Sequence, residues 1–224
     1  PSSFINQATD NRGLDIYIDT YGRWGARVST TSGQLLLEAP EVFPVYEWSH
    51  IALTFDASAQ RARLLLNGNI VSEKKISSRA RLRPATTELQ VARSWQDTGF
   101  LVFLINALNG AFDDIRVSTD VASVATLQAE IAKARAGLPD AWTSLAVPES
   151  RFAGDHWRPR IHAMPPANWT NEPHGLVRAN GRYHMFYQRT PNGPYKTQMH
   201  WGHISSEDLV NWTHHRDALW PELQ

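Results

Sequence analysis

The sequence predicts an all-β protein of two units in series, on three observations. Runs such as LDIYIDT (14–20) alternate apolar and polar residues, the period of a strand with one buried face. Asn67-Gly68 and Asn180-Gly181 each lie between strand-like runs, and Asn-Gly is the strongest two-residue hairpin signal. Composition shifts along the chain: six of the nine tryptophans follow residue 140 and eight of the nine histidines follow residue 150. The shift separates two units with different work.

The first unit is read over residues 1–136. After LDIYIDT come RWGARVS (23–29), WSHIALTFD (48–56) and RARLLLNG (61–68), the last two joined by a short polar turn. NGNIVSEKKI follows the turn signal. FLVFLI (100–105) and GAFDDIRVS (110–118) are expected to be the last two strands. Many short strands with frequent turns favour an antiparallel sandwich. A helix closes the unit: SVATLQAEIAKARAG sets Val124, Leu127 and Ile131 on one face, with Ser123 as N-cap and Gly137 and Pro139 as stop signals. Residues 137–156, rich in proline, glycine and polar residues, read as a linker to a second unit over 157–224.

Composition limits the function. Hydrophobic residues make up 42% of the 224 positions and charged ones 20%, as in soluble globular proteins. The 22 basic and 22 acidic residues cancel, which argues against nucleic acid as a partner. The basic cluster Lys74, Lys75, Arg79, Arg81 and Arg83 reads as a solvated edge or loop. There are no cysteines, so disulfides, thiolate metal sites and cysteine nucleophiles are excluded. No apolar run reaches the roughly 18 residues of a membrane span. The chain opens on PSSFINQATD without methionine or a visible signal peptide and reads as an internal piece.

The second unit holds the candidate chemistry, in NWTNEPHGLVRANGRYHMFYQ (168–188). With Asn180 and Gly181 at the centre of a two-residue turn, Ala179 faces Arg182, and a constant register sets Gln188 opposite Pro173, beside Glu172. MHWGHISS (199–206) is expected to add a third strand, continued by EDLVNWTHH. Asn171, Glu172, Gln188 and Trp201 then line one end of a small sheet. A carboxylate, two carboxamides and an indole suit a sugar: amides bond hydroxyls at little charge cost, and a flat ring packs on a sugar's C–H face.

Two family resemblances rest on quoted stretches. EWSHIALTFDASAQRARLLLNGNIV and LNGAFDDIRVSTDVASVATLQAEI resemble a laminin-G-like, concanavalin-type jelly roll over about residues 1–132. In that fold Asp113 and Asp114 are conceivable calcium ligands, but no oxygen-ligand loop accompanies them and they read as a solvated strand end. WTNEPHG, FYQ, WGH and SSEDLVNW, in that order, resemble the opening of glycoside hydrolase family 32 over about residues 157–221. That resemblance implies the first part of a five-bladed β-propeller, a retaining mechanism, and a sucrose-like or fructan substrate; no metal-ligand pattern appears among the histidines, and neither metal nor cofactor is expected. The resemblance implies that Glu172 is the nucleophile, and that Asn171, Gln188 and Trp201 surround a fructosyl unit. Trp169 and His174 are its motif neighbours, and His203 is structural. A secreted, periplasmic or cell-surface location goes with such substrates.

Departures from the family are specific. The nucleophile position is usually aspartate, and Glu172 adds about 1.5 Å of reach, one carbon–carbon bond. His174 stands where asparagine is usual. The family's stabilising aspartate (R-D-P) and acid/base glutamate (E-C) motifs do not occur in these 224 residues. Arg216-Asp217 is followed by alanine and reads as structural, as do Glu207 and Asp208. The chain therefore reads as a piece of a longer hydrolase, with the remaining blades outside it and no turnover of its own. Family 43-type arabinanases or xylosidases, which share the propeller and invert, are one alternative. A non-catalytic carbohydrate-binding protein is another.

Overall fold

The computed structural model describes residues 2–19, 21–45, 47–100, 103–108, 110–139, 149–191 and 199–221. They divide into two compact units, one ending at Pro139 and the other running from residue 149 to residue 221 within Asp140–Glu222. Residues 140–148 of the expected linker lie outside the described residues.

The first unit is a sandwich of antiparallel sheets. Strands β1 (Ser2–Thr9), β2 (Arg12–Ile18), β3 (Trp24–Thr30) and β4 (Gly33–Glu38) run as a meander. With the short β8 (Gln90–Val91) they form a sheet ordered β4-β3-β2-β1-β8. Strands β5 (Ile51–Asp56), β6 (Arg61–Leu66) and β7 (Asn69–Lys75) form a second sheet in chain order. Alternation gives each sheet an apolar face: Phe4, Ile16, Trp24, Ala26 and Leu37 from the first meet Ala62 and Leu64 from the second in one core. Phe43 fills the gap, 4.6 Å from Phe4 and edge-on to Trp24 at 5.4 Å between ring centroids. The β6–β7 turn has φ +51° at Asn67 and +77° at Gly68, the left-handed pair that an Asn-Gly hairpin requires.

Helix α1 (Val124–Arg135) starts at the expected cap, Ser123, whose hydroxyl accepts from the Thr126 amide. Leu127 and Ile131 are its buried residues, and the Gln128 side chain lies across Gly68. Two expected strands differ from the structure. FLVFLI is not one strand: Phe100 ends β9 (Arg93–Phe100), Phe103 begins β10 (Phe103–Ala107) and pairs with it, and residues 101–102 lie outside the described residues. GAFDDIRVS joins no ladder: Asp114 has φ +50°, which interrupts an extended run, and its carboxylate takes a 2.7 Å ion pair from Arg116.

The second unit is a four-stranded antiparallel meander, the form of a propeller blade: β11 (Trp169–Ala179), β12 (Arg182–Thr190), β13 (His200–Ser206) and β14 (Thr213–His214). EDLVNW does not continue β13. It is a tight turn in which the Ser206 hydroxyl accepts from the Asp208 and Leu209 amides. The Asp208 carboxylate accepts from Val210 and Asn211, and these bonds hold its pKa well below the usual carboxylate range. Arg158 pins the entry segment: it donates to the Met164 and Pro165 carbonyls and lies 4.0 Å over the Phe152 ring.

The tripeptides FYQ and WGH are cross-strand partners, residue for residue: Phe186 with His203, Tyr187 with Gly202, Gln188 with Trp201. Tyr187 is buried, and its ring occupies the space a side chain at 202 would need; a Cβ there would stand 2.5 Å from Tyr187 Cζ. Gly202→Ala is therefore expected to cost about 1–3 kcal/mol, the usual range for overpacking. Urea denaturation followed by tryptophan fluorescence measures it, and an unchanged midpoint would show that the ring yields freely.

Candidate active site

Two bulges in β11 build the site. From the turn outward the ladder begins as expected, with Ala179 opposite Arg182 and Val177 opposite His184. Gly175 and Leu176 then stand together against Met185, and the pairing resumes one residue out of step, with His174 opposite Phe186. Gly175 has φ +56°, and a Cβ would lie 3.0 Å from the Phe186 ring, so both backbone and space select glycine. The ladder slips again between Pro173 and Thr170, leaving Asn171 and Glu172 together against Gln188. The constant register expected from the turn is thus corrected: Tyr187, not Gln188, faces Pro173. The neighbourhood of Gln188 and Glu172 persists because the slip is small.

His174, Gln188 and Trp201 form one contact cluster. The His174 and Trp201 rings stack, 5.4 Å between centroids and 13° between planes. The Gln188 Nε2 and His174 Nε2 atoms are 3.4 Å apart. Asn171 and Glu172 are exposed beside them, and Trp201 is 36% exposed. Trp169 pairs with Thr190, which places it on the same side of the sheet by alternation. No group of three histidine, aspartate or glutamate side chains suited to a metal exists among the described residues.

A column of imidazoles, not expected from the sequence, continues from this cluster. His203 stacks on Phe186 at 4.5 Å and on His215 at 4.4 Å, and its Nε2 is 2.9 Å from His184 Nδ1. Burial first, then neighbouring His215 and His184, pushes His203 down to about 4. The signal for this column was one histidine on each of three neighbouring segments, His184, His203 and His215, legible only once the pairing of FYQ with WGH is known.

The opposite side of the sheet holds Asp217, also buried. It lies 2.9 Å from His200 Nδ1 and 3.2 Å from Arg189 Nη1. Burial in that layer pushes Tyr187 up to about 12. His214 is likewise pushed down to about 4, by burial and then by Arg158 and Arg189. Asp217 therefore ties strands together on the side away from Gln188 and Trp201. Glu207 pairs with Arg182 near the Asn180-Gly181 turn, and Asp208 caps its own turn. Among these carboxylates Glu172 alone lies in register with a residue of the cluster, Gln188.

Comparison with known proteins connects both units to families. The model of the concanavalin A-like lectin/glucanases superfamily matches residues 2–128, more than half of the chain. The chain belongs to that superfamily. The model of the glycosyl hydrolases family 32 N-terminal domain matches residues 162–224, which cover the bulged strand, the cluster and the imidazole column. Both resemblances read from the sequence are matched.

Raffinose invertase of Escherichia coli is 48% identical over 68 residues, 30% of this chain and 14% of that protein. Levanase of Bacillus subtilis is 46% identical over 74 residues, 33% of this chain and 11% of that protein. Among solved structures, fructan 1-exohydrolase IIa from Cichorium intybus is 42% identical, over 30% of this chain and 12% of its own, with a TM-score of 0.28. The chain thus spans 11–14% of the length of these two curated relatives.

The half-buried imidazoles carry a pH dependence. His203 and His214 protonate less readily folded, at about 4, than at the ordinary histidine value of 6.5. The unfolded chain therefore takes up protons that the folded one refuses. Stability is full above about pH 6.5 and falls as pH drops toward 4. Denaturation midpoints measured between pH 7 and pH 4.5 are expected to fall, and less steeply in His203→Phe. A flat profile in the unsubstituted protein would contradict the neutral column.

Proposed function

We propose that this chain contributes the nucleophile side of a glycosidase that hydrolyses fructose-containing oligo- or polysaccharides with retention. The observation that carries this is Glu172 beside the cluster of His174, Gln188 and Trp201, within the segment matched by the family 32 model. The relatives named raffinose invertase and levanase support a β-fructoside substrate. In this reading Glu172 attacks the anomeric carbon. Asn171 and Gln188 bond hydroxyls, and Trp201 and Trp169 offer apolar ring faces. Retention requires a second, protonated carboxyl about 5–5.5 Å away to act on the leaving oxygen. The other carboxylates named above are engaged elsewhere, so that partner is supplied by other segments, together with the further propeller blades. Action on an external fructan goes with export from the cytoplasm.

In the whole protein, Glu172→Gln is expected to lower kcat at least about a thousandfold, as loss of a nucleophile does. Glu172→Asp withdraws the carboxylate by about 1.5 Å and is expected to cost on the order of a hundredfold. Sucrose and inulin hydrolysis, with product anomers followed by NMR, measures both. Full activity in Glu172→Gln removes Glu172 as nucleophile, and inverted product favours a family 43-type mechanism.

A second reading has its own observation. The five-stranded sheet bears a groove of about 900 Å³, lined by Asp15, Tyr17, Arg27 and Glu38 among others. Asp15 is buried there, accepting from Ser3 Oγ at 2.6 Å and Arg27 Nη1 at 3.1 Å. Such a groove fits a sandwich that binds carbohydrate without acting on it. Calorimetric titration with fructan is expected to lose one class of sites in Arg27→Ala; identical isotherms would dismiss the groove.

A further inference from the structure

His174 is the residue of the cluster that touches both of its other members. Its ring is parallel to the Trp201 indole, and its Nε2 faces the Gln188 carboxamide nitrogen. Residue 174 is held in place by the bulge at Gly175, which sets His174 opposite Phe186, and His174 is itself half-buried. The Trp201 ring is partly open to solvent, so its orientation depends on what lies flat against it.

The carboxamide depends on His174 more strongly still. Gln188 Oε1 is buried and has no hydrogen-bond partner among the described residues. The contact with His174 is thus the one side-chain hydrogen bond that fixes the amide among those residues. An amide nitrogen only donates, so the imidazole nitrogen facing it must accept. His174 is then neutral with its proton on Nδ1. The reversed amide would need Nε2–H on His174 and would bury an NH2 group in place of one oxygen. Orphaned donors are rarer in folded proteins than under-satisfied carbonyl oxygens, which favours the observed arrangement.

We propose that His174 is a positioning residue that locks the Trp201 indole and the Gln188 carboxamide into one rigid platform for the sugar ring. This rests on the fructosyl-site reading given above. The lock has two separable parts, a flat ring against Trp201 and an acceptor for Gln188. A rigid platform contributes binding in ground state and transition state alike, so its loss appears in KM rather than kcat.

Two measurements test it. Nitrogen-15 NMR of the histidine side chains, with His174 assigned by comparison with His174→Ala, is expected to show His174 neutral with the proton on Nδ1. A proton on Nε2 overturns this direction of the bond, and a mixture of both tautomers overturns the tether. In the whole protein, His174→Ala is expected to raise KM for sucrose about tenfold, the scale of one lost hydrogen bond, with kcat within about threefold. His174→Gln, whose amide oxygen reaches a similar point, is expected to recover most of that loss. An unchanged KM in His174→Ala, or an equal loss in both variants, overturns the lock. If the unsubstituted protein turns over no fructoside, the fructosyl reading fails, and the tautomer alone upholds or overturns the lock.

Discussion

The second unit depends on one cross-strand contact, the ring of buried Tyr187 lying over Gly202. A sheet in which both strands alternate has a neighbouring register that moves each side chain to the wrong face. The Tyr187–Gly202 fit penalises that slip, because the ring has room over glycine and none over Trp201 or His203. With this pair in place, Gln188 meets Trp201 and Phe186 meets His203 as consequences of pairing. The two sides of the sheet then take separate tasks. One carries the polar cluster and the imidazole column; the other buries Tyr187, Asp217 and the His200 and Arg189 contacts that brace it.

How much of this was legible in the sequence follows from how local each signal is. The Asn180-Gly181 turn fixes the start of the hairpin by its own chemistry, and the first pairs obey it. The bulges were not legible, because glycine at 175 announces a special backbone without saying how many residues it absorbs. The neighbourhood of Glu172 and Gln188 was right while the residue opposite Pro173 was wrong. The pairing of FYQ with WGH was open to the same reasoning, since a lone glycine inside an aromatic run asks for a large cross-strand partner.

The sandwich shows the same division. Strands with clear alternation, and the helix with its serine cap, were readable from local pattern. Strands β1 and β4 were missed because SSFINQAT and GQLLLE lack clean alternation: their places are set by pairing with β2 and β3. FLVFLI differs from the expectation because an apolar run has no period to show where one strand ends and the next begins, and GAFDDIRVS because apolar alternation does not ensure a ladder partner. In each case the outcome depends on pairing with another strand, which the segment's own pattern does not carry.

The longer acid at position 172 belongs to the same physics. A carboxylate's reach is set by side-chain length and backbone position together. Glutamate adds about 1.5 Å over aspartate, whereas one bulged residue takes up about 3.3 Å of strand without advancing its partner. Glu172 sits in such a bulge, against Gln188. The backbone there can move by more than the extra methylene requires while the flanking pairs, Thr170 with Arg189 and Pro173 with Tyr187, stay in place. If Glu172 is the nucleophile proposed above, a longer acid that a regular strand would misplace has room where the ladder already departs from regularity. In the same proposal the constraint passes to the groups that must stay fixed around the acid, which is the role proposed for the His174 contacts.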